Sequence, residues 1–401
     1  MNRSDTLAPQ KMQQGTLAWN TDLAAVWERL PATFQDPNPA RKNTDVLLDA
    51  LTEIGHRLRQ GKEDVGAKIW IEGEAGTLEA SYFPTTDDTS LQAYLDRVNE
   101  LLWPKEFTIL VADAHLYSPA LWCEAKALAQ ELTDKVGMPT GGFDSCVFLG
   151  RYSKTPFGIH RGQMSVLTVP LVGRKAFWLW PYQYGLDHPE MQDSLEIDPY
   201  RKDALYRVAE PGELLYWPAD YWHIAEADNQ PTAAWNIGIW WDNTPRERTL
   251  QSLADTFMGF DAFEGKKHHT FRTGTGTAAS LPKGITTAKA EIAALAEDPL
   301  FQDSLLINWL KFLSASGFRT PPPLLPVGQV GAKLDGTPML FMERLSTGGL
   351  CVCANGHAAV FEDVSDDDRG RILEAVSTNT RPTAPHHLGP VFEFLAAAGA
   401  I

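Results

Sequence analysis

At 401 residues the chain has room for two or three domains of about 100 to 200 residues each. Its composition, 44% hydrophobic and 21% charged with 31 Gly and 27 Pro, is globular rather than disordered or fibrous. Acidic side chains outnumber basic ones 51 to 35; the formal charge of −16 repels a phosphate backbone and argues against nucleic acid as a partner. No run approaches the ~18 apolar residues of a membrane span, and the opening MNRSDTLAPQKMQQG lacks the apolar core of a signal peptide. The expected setting is cytoplasmic, without membrane contact.

In chain order, residues 1–15 are polar and read as loose. From about 42 to 61, VLLDALTEIGHRLRQG sets apolar residues at helical spacing, while GAKIWIEG and TLEASYF, within 66–83, alternate as two strands should. Helices are predicted near 90–103 and 119–136, flanking FTILVADA, an apolar run suited to a buried strand. From Phe143 to Trp241 short β segments follow one another, broken by Pro and Gly: FDSCVFLGRY, QMSVLTVPLVG, RKAFWLWP, ELLYWP and AAWNIGIWW. That rhythm predicts a barrel or a double-sheet jelly roll. Seven of the 13 tryptophans (Trp178, Trp180, Trp217, Trp222, Trp235, Trp240 and Trp241) fall in this stretch and supply core area.

Residues 265–285, GKKHHTFRTGTGTAASLPKGI, read as a linker, and their GTGT lacks the strand, helix and spacing of a phosphate loop. Beyond them come helices at TAKAEIAALAE and FQDSLLINWLKFLSAS, the stop PPPLLP, strands around 338–362, and helices at DDDRGRILEAVS and VFEFLAAAG. Ser365 stands as N-cap before DDDR, with Asp368 at the third helical position. This order fits a small winged-helix domain. Residues 286–401 carry 8 Lys or Arg against 13 Asp or Glu, which suits peptide or subunit contact better than DNA.

Four cysteines, Cys123, Cys146, Cys351 and Cys353, are too few and scattered for a disulfide framework, so the compartment is expected to be reducing. Cys351 and Cys353 with His357 can be drawn as a metal cluster. However, GLCVCANGHAAVF alternates like two strands around a turn at Asn355 and Gly356, and core packing is the expectation.

Two histidines stand out by their placement. His160, in TPFGIHRGQMSVLTVPLVGRK, sits at a loop-to-strand transition; His223, in PGELLYWPADYWHIAEADNQPTAAWNIGIWW, follows a strand, a proline and a tight aromatic turn. Neutral imidazole suits Fe(II), Zn and Cu, and two histidines delivered by different strands into a barrel mouth can form two corners of a facial site. Taken alone, each reads more readily as a hydrogen-bonded core group, and it is their joint context that favours a metal site. The pairs His268–His269 and His386–His387 lie in polar segments and read as surface.

The stretch 143–243 resembles the JmjC, or cupin-like, branch of the Fe(II)- and 2-oxoglutarate-dependent oxygenases. The family pattern runs from HxD/E through a turn Gly-x-Lys to PGD-x-L-Y-x-P-x-x-W-x-H and then an Asn on the last strand. Here stand His160, Gly173 and Lys175, then Pro211, Gly212, Leu215, Tyr216, Pro218, Trp222 and His223, then Asn236. The resemblance implies that His160 and His223 hold Fe(II), and that Lys175 pairs with the distal carboxylate of 2-oxoglutarate. It also implies added hydrogen bonds from Thr155 and Asn236 to cosubstrate or ligand. The plain alternatives are a solvent-facing turn lysine and a strand asparagine bonded to backbone.

The chain departs from the family where the carboxylate ligand belongs: His160-Arg161-Gly162 replaces HxD. Three readings are open. Iron binds through two histidines and 2-oxoglutarate with water beside Gly162, and oxygenation survives; halide uses the gap, as in halogenases with HxG or HxA; or the site is silent and the barrel is a binding module. Gln163 and Asp220 are the nearby side chains that could compensate, although Gln163 should face away from His160 on a strand and Asp220 reads as a turn acid.

The expected fold class is a mainly β, double-stranded β-helix core with flanking helices, followed by a winged-helix-like α+β domain. The expected boundaries are 1–142 for the region packing on the barrel, 143–243 for the core, 244–285 for a linker or helical connection, and 286–401 for the last domain. The whole order is similar to that of the bacterial ribosomal oxygenases, which implies hydroxylation of a peptide or protein side chain and a homodimer formed after the barrel.

Overall fold

The computed structural model describes residues 15–62, 64–242, 245–259, 283–325, 339–378 and 385–401. Residues 1–14, read above as loose, the GTGT stretch and the pair His268–His269 lie outside the described residues. The chain divides into two compact units between Trp240 and Trp241.

The first unit runs β1 (Leu17–Ala18), α1 (Trp19–Val26), β2 (Ala32–Gln35), α2 (Asp45–Arg59), β3 (Ala67–Ile71), β4 (Glu74–Gly76), α3 (Leu91–Leu102), β5 (Phe107–Ala112), α4 (Pro119–Val136) and β6 (Gly142–Arg151). It continues β7 (His160–Arg161), β8 (Ser165–Val172), β9 (Lys175–Trp180), α5 (Tyr182–Asp187), β10 (Leu205–Ala209), β11 (Glu213–Trp217), β12 (Trp222–Glu226) and β13 (Pro231–Trp240). Nine strands form one sheet in the order β1-β2-β11-β8-β13-β6-β5-β3-β4, and four form a second, β10-β9-β12-β7. Their facing sides close on Val166, Phe177, Leu179, Ala209, Leu215, Trp217 and Ala225, drawn from β8 to β12. This is the double-stranded β-helix expected from the short apolar segments.

Residues before 142 contribute β1 to β5 to the same sheet as the barrel strands, and β5 pairs with β6 from Phe107↔Arg151 to Ala112↔Cys146. Along β6 the side chains alternate. Phe143, Ser145, Val147 and Leu149 are buried on one face, and Asp144, Cys146 and Phe148 stand half-buried on the other. The buried face lies towards the helical side, where α3 touches both β6 and β13. Helix α2 shows why such helices dock: its buried residues Leu47, Ala50, Leu51, Ile54 and Gly55 recur at i, i+3, i+4, i+7 and i+8.

TLEASYF is not a strand. The second strand is the shorter β4, and Ala80–Tyr82 is a 3₁₀ turn. Tyr82 and Phe83 are both buried, one closing the 3₁₀ turn and the other following it. Their carbonyls are met by side chains of α3, since the Tyr94 hydroxyl donates to Tyr82 O (2.9 Å) and Arg97 Nη2 to Phe83 O (2.9 Å).

The second unit contains α6 (Pro245–Gly259), α7 (Lys283–Ala296), α8 (Pro299–Ser314), β14 (Leu340–Arg344), β15 (Leu350–Ala354), β16 (His357–Phe361), α9 (Asp366–Thr378) and α10 (Gly389–Ala397). Helix α6 occupies part of the segment expected to connect the domains, and α7 starts at Lys283, inside the stretch read as linker. The antiparallel sheet β14-β15-β16 packs its Met342, Leu350 and Val352 against Ile372, Val391, Phe392 and Leu395 of α9 and α10. Asn355 (φ 49°) and Gly356 (φ 87°) make the β15–β16 turn, where glycine's tolerance of positive φ is used. Ser365 and Asp368 cap α9 reciprocally: Asp368 N–H donates to Ser365 Oγ (3.3 Å) and Ser365 N–H to Asp368 Oδ2 (3.1 Å). Cys351 and Cys353 are fully buried among Leu310, Leu306 and Ile307 of α8, with sulfurs 3.5 Å apart. His357 instead donates from Nε2 to Pro322 O (2.8 Å).

Candidate active site

His160 and His223 lie directly opposite each other on β7 and β12. Cross-strand partners share a face, so both rings emerge on one side of the small sheet, with centroids 4.2 Å apart. The loop before β7 is pinned by Ile159 N–H donating to Ser194 O and Asp193 N–H to Ile159 O, both 2.8 Å. Each imidazole donates its Nδ1–H to the carbonyl two residues earlier, Gly158 O at 3.0 Å and Tyr221 O at 3.3 Å. A carbonyl can only accept, so both Nε2 lone pairs remain to be used. Burial, then the neighbouring His160 ring, pushes the His223 imidazole down to about 3, so it stays neutral, the form that binds metal. Phe157, Phe177 and Trp217 wall the pair, with centroids 6.0 Å from His160 and 6.2 and 5.3 Å from His223.

Gly162 is held by its backbone: its N–H donates to Tyr221 O (3.1 Å), and its carbonyl accepts from Asp220 N–H (2.8 Å). A Cβ added here would lie 3.3 Å from Met164 O and 3.5 Å from His223 Cε1, so a side chain at this position would run beside the His223 ring. No group of three or more His, Cys, Asp or Glu able to hold a metal forms among the described residues. Asp220 is exposed on a positive-φ turn (φ 68°) with Arg161 Nε 3.9 Å away, and Gln163 is exposed.

Lys175 opens β9 on the same face as Phe177 and is only 2% exposed. Its ammonium donates to the Tyr152 hydroxyl and sits 4.6, 5.7 and 5.9 Å from the ring centroids of Tyr152, Phe148 and Phe177. No carboxylate pairs with it among the described residues, and burial pushes it down to about 7. Such a group is short of an anion. Burial also raises the Tyr152 hydroxyl. Thr155 is 4% exposed, and its hydroxyl is buried without a hydrogen-bond partner among the described residues. Asn236 is committed to its strand neighbours: Oδ1 accepts from Thr168 Oγ1 (2.6 Å), and Nδ2 donates to Cys146 O (3.4 Å). Burial pushes the adjacent Cys146 thiol up to about 12.

Tyr152, Phe148 and Phe157 were not picked out by spacing. The alternation along FDSCVFLGRY places Phe148 on the inner face, but nothing local marks Tyr152 as the partner of a lysine 23 residues later.

A β-helix with two facing histidines at its mouth defines a class, and comparison bears on it directly. Residues 121–245 match the family model for the JmjC domain. Residues 121–245 thus carry a match to the JmjC domain, in agreement with the cupin-like double-stranded β-helix, and the resemblance implies Fe(II) and 2-oxoglutarate as cofactors. Among solved structures, YcfD from Escherichia coli aligns with TM-score 0.50 and 16% identity over 96% of this chain and 98% of that one. YcfD in complex with cobalt and 2-oxoglutarate, described as a ribosomal oxygenase, aligns at TM-score 0.48 and 17% identity, again over 96% and 98%. No curated protein sequence matches the chain. No described helix is long and apolar enough to cross a membrane.

The residues fit this cofactor pair. Two imidazoles with available Nε2 atoms are donors suited to Fe(II), and the buried Lys175 ammonium, with no carboxylate partner among the described residues, suits the carboxylate of 2-oxoglutarate.

Proposed function

We propose that the protein is an Fe(II)- and 2-oxoglutarate-dependent oxygenase that hydroxylates a side chain of a peptide or protein, using a metal site with two histidines and no protein carboxylate. The carrying observation is the cross-strand pair His160–His223 together with a buried, anion-lacking Lys175. Bound together, Fe(II) and 2-oxoglutarate supply oxygen activation coupled to formation of succinate. The chain's own part is positional. His160 and His223 hold the metal through Nε2, their orientation set by carbonyls 158 and 221. Lys175 and Thr155 orient the cosubstrate. Phe157, Phe177 and Trp217 keep the surroundings dry, which strengthens those polar contacts.

A polypeptide substrate is supported by the open face of the larger sheet. Beyond the barrel, Trp70 of β3 and Leu110 of β5 stand half-buried on the side shared with Phe148 and Cys146, a shelf leading to His160. Of the readings of Gly162, we take water beside the glycine with oxygenation retained, and the bromide comparison below separates it from halide use. We take residues 286–401 as an association or peptide-capture region and the setting as cytoplasmic, with a homodimer as the assembly.

The test is anaerobic Fe(II) and 2-oxoglutarate binding followed by oxygen, with succinate measured with and without bromide, on wild type and Gly162→Asp in parallel. Halide-independent succinate is expected from wild type, and iron affinity should rise in the variant about tenfold or more as the anion is restored. A brominated product would replace hydroxylation with halogenation. Failure of both proteins to bind metal and cosubstrate would leave the barrel as a binding module.

A further inference from the structure

We propose that a cavity of about 310 Å³ beside the barrel, lined by Trp70, Glu72, Glu106, Thr108, Tyr152 and Lys154 among others, is a subsite for a cationic side chain of the substrate polypeptide. The proposal rests on the polypeptide reading above. Glu72 follows β3 and Glu106 precedes β5, and the two are held side by side: Glu72 N–H donates to Glu106 O (2.9 Å), and Glu106 N–H donates to the Glu72 carboxylate. Neither carboxylate forms an ion pair among the described residues. The ammonium lining the same cavity, Lys154, donates to Leu195 O (3.1 Å) instead.

An independent observation comes from Thr108. It is 2% exposed, lines the cavity, and its hydroxyl makes no hydrogen bond among the described residues. Its hydroxyl is not one of the oxygens sealed in the core but stands at the cavity wall, where a donor entering the cavity can meet it. Trp70 adds a π face. Two carboxylates, a hydroxyl and an indole suit the planar five-donor fork of an arginine, with lysine a weaker fit.

The cavity adjoins the reaction site through two aromatic contacts. Trp70 meets Phe157 edge-on at 4.9 Å, and Phe157 meets His160 at 6.0 Å. An extended chain rises about 3.3 Å per residue, so the cation belongs roughly three or four residues from the one presented to the histidines. On the barrel side, Tyr152 separates the cavity from Lys175.

The test compares two fluorescent peptide pools, identical except that one carries arginine and the other its neutral isostere citrulline three residues from a randomised position. Binding to the full chain is read by anisotropy at low salt. The arginine pool should bind about tenfold more tightly, and Glu72→Gln with Glu106→Gln should erase that gap while leaving citrulline affinity unchanged. Both glutamines keep the acceptor oxygens that the Glu106 N–H and the Ser153 hydroxyl use. Lys154→Ala, which removes the competing ammonium, should widen the gap and serves as the readout if the double variant does not fold. Equal binding of the two pools by wild type, or a gap that survives in the folded double variant, overturns the subsite. A persistent gap in a protein that makes no succinate overturns the oxygenase reading alone.

Discussion

A lysine ammonium enclosed by three aromatic rings, one of them the phenol of Tyr152, is a stored demand for negative charge. With Lys175 held near 7 rather than at its ordinary 10.5, the apo protein at pH 8 carries it largely neutral. The unfolded chain binds the extra proton between those two values, so apo stability rises with pH across that window. A bound carboxylate reverses the preference. Binding of 2-oxoglutarate at pH 8 should therefore take up close to one proton, and below about pH 6 almost none. Calorimetry in two buffers of different ionisation enthalpy reads this directly; Lys175→Met should lose both the uptake and most of the affinity. Affinity kept in full by that variant would remove Lys175 from the cosubstrate. The residues of this corner were unevenly legible. His160, His223 and Lys175 sit in motif positions, but the placement of Tyr152 and of the buried Thr155 hydroxyl is a consequence of how the strand closes on the barrel. The two-residue β7 left no periodic trace, so that His160 pairs with His223 was a fact of register alone.

At the scale of elements, long amphipathic segments were readable, as α2, α3, α4, β5 and β6 show, because burial on one face writes itself into spacing. Strands β10 and β12 were not, since neither alternates: the first four residues of β10 are all half-buried and the first four of β12 all buried. TLEASYF misled because its apolar alternation is satisfied by a 3₁₀ turn whose carbonyls bond to α3. The join of β5 to β6 has its own sensitive point. Gly150 adopts φ 150°, and a Cβ there would stand 2.1 Å from Phe107 O. Neither backbone can yield without parting the ladder. Gly150→Ala should cost about 2–4 kcal/mol in urea unfolding. A loss under about 0.5 kcal/mol would show that the two strands can slide apart freely.

For the whole molecule, the division after Trp240 places every residue of the proposed iron, cosubstrate and cation sites in the first unit. A chain ending at Trp241 should accordingly bind Fe(II) and 2-oxoglutarate with wild-type stoichiometry, whatever happens to its assembly or substrate affinity. A companion chain beginning at Phe143 is the contrast. It keeps both histidines and Lys175 but loses β1 to β5. If that shorter chain stays soluble and binds metal, the N-terminal strands are an ornament of the barrel.

The continuity of β6 with β5 says otherwise. Removing the N-terminal segment would turn a ten-residue central strand into a raw border, with hydrogen-bonding groups once matched from Phe107↔Arg151 to Ala112↔Cys146 now facing water. A long, flat, largely apolar border invites another copy to dock along it, and precipitation follows. The stretch that carries the family signature is therefore not the stretch that can be excised. Here the smallest portable piece is set by where the sheet ends, at β1 and β4, well before His160.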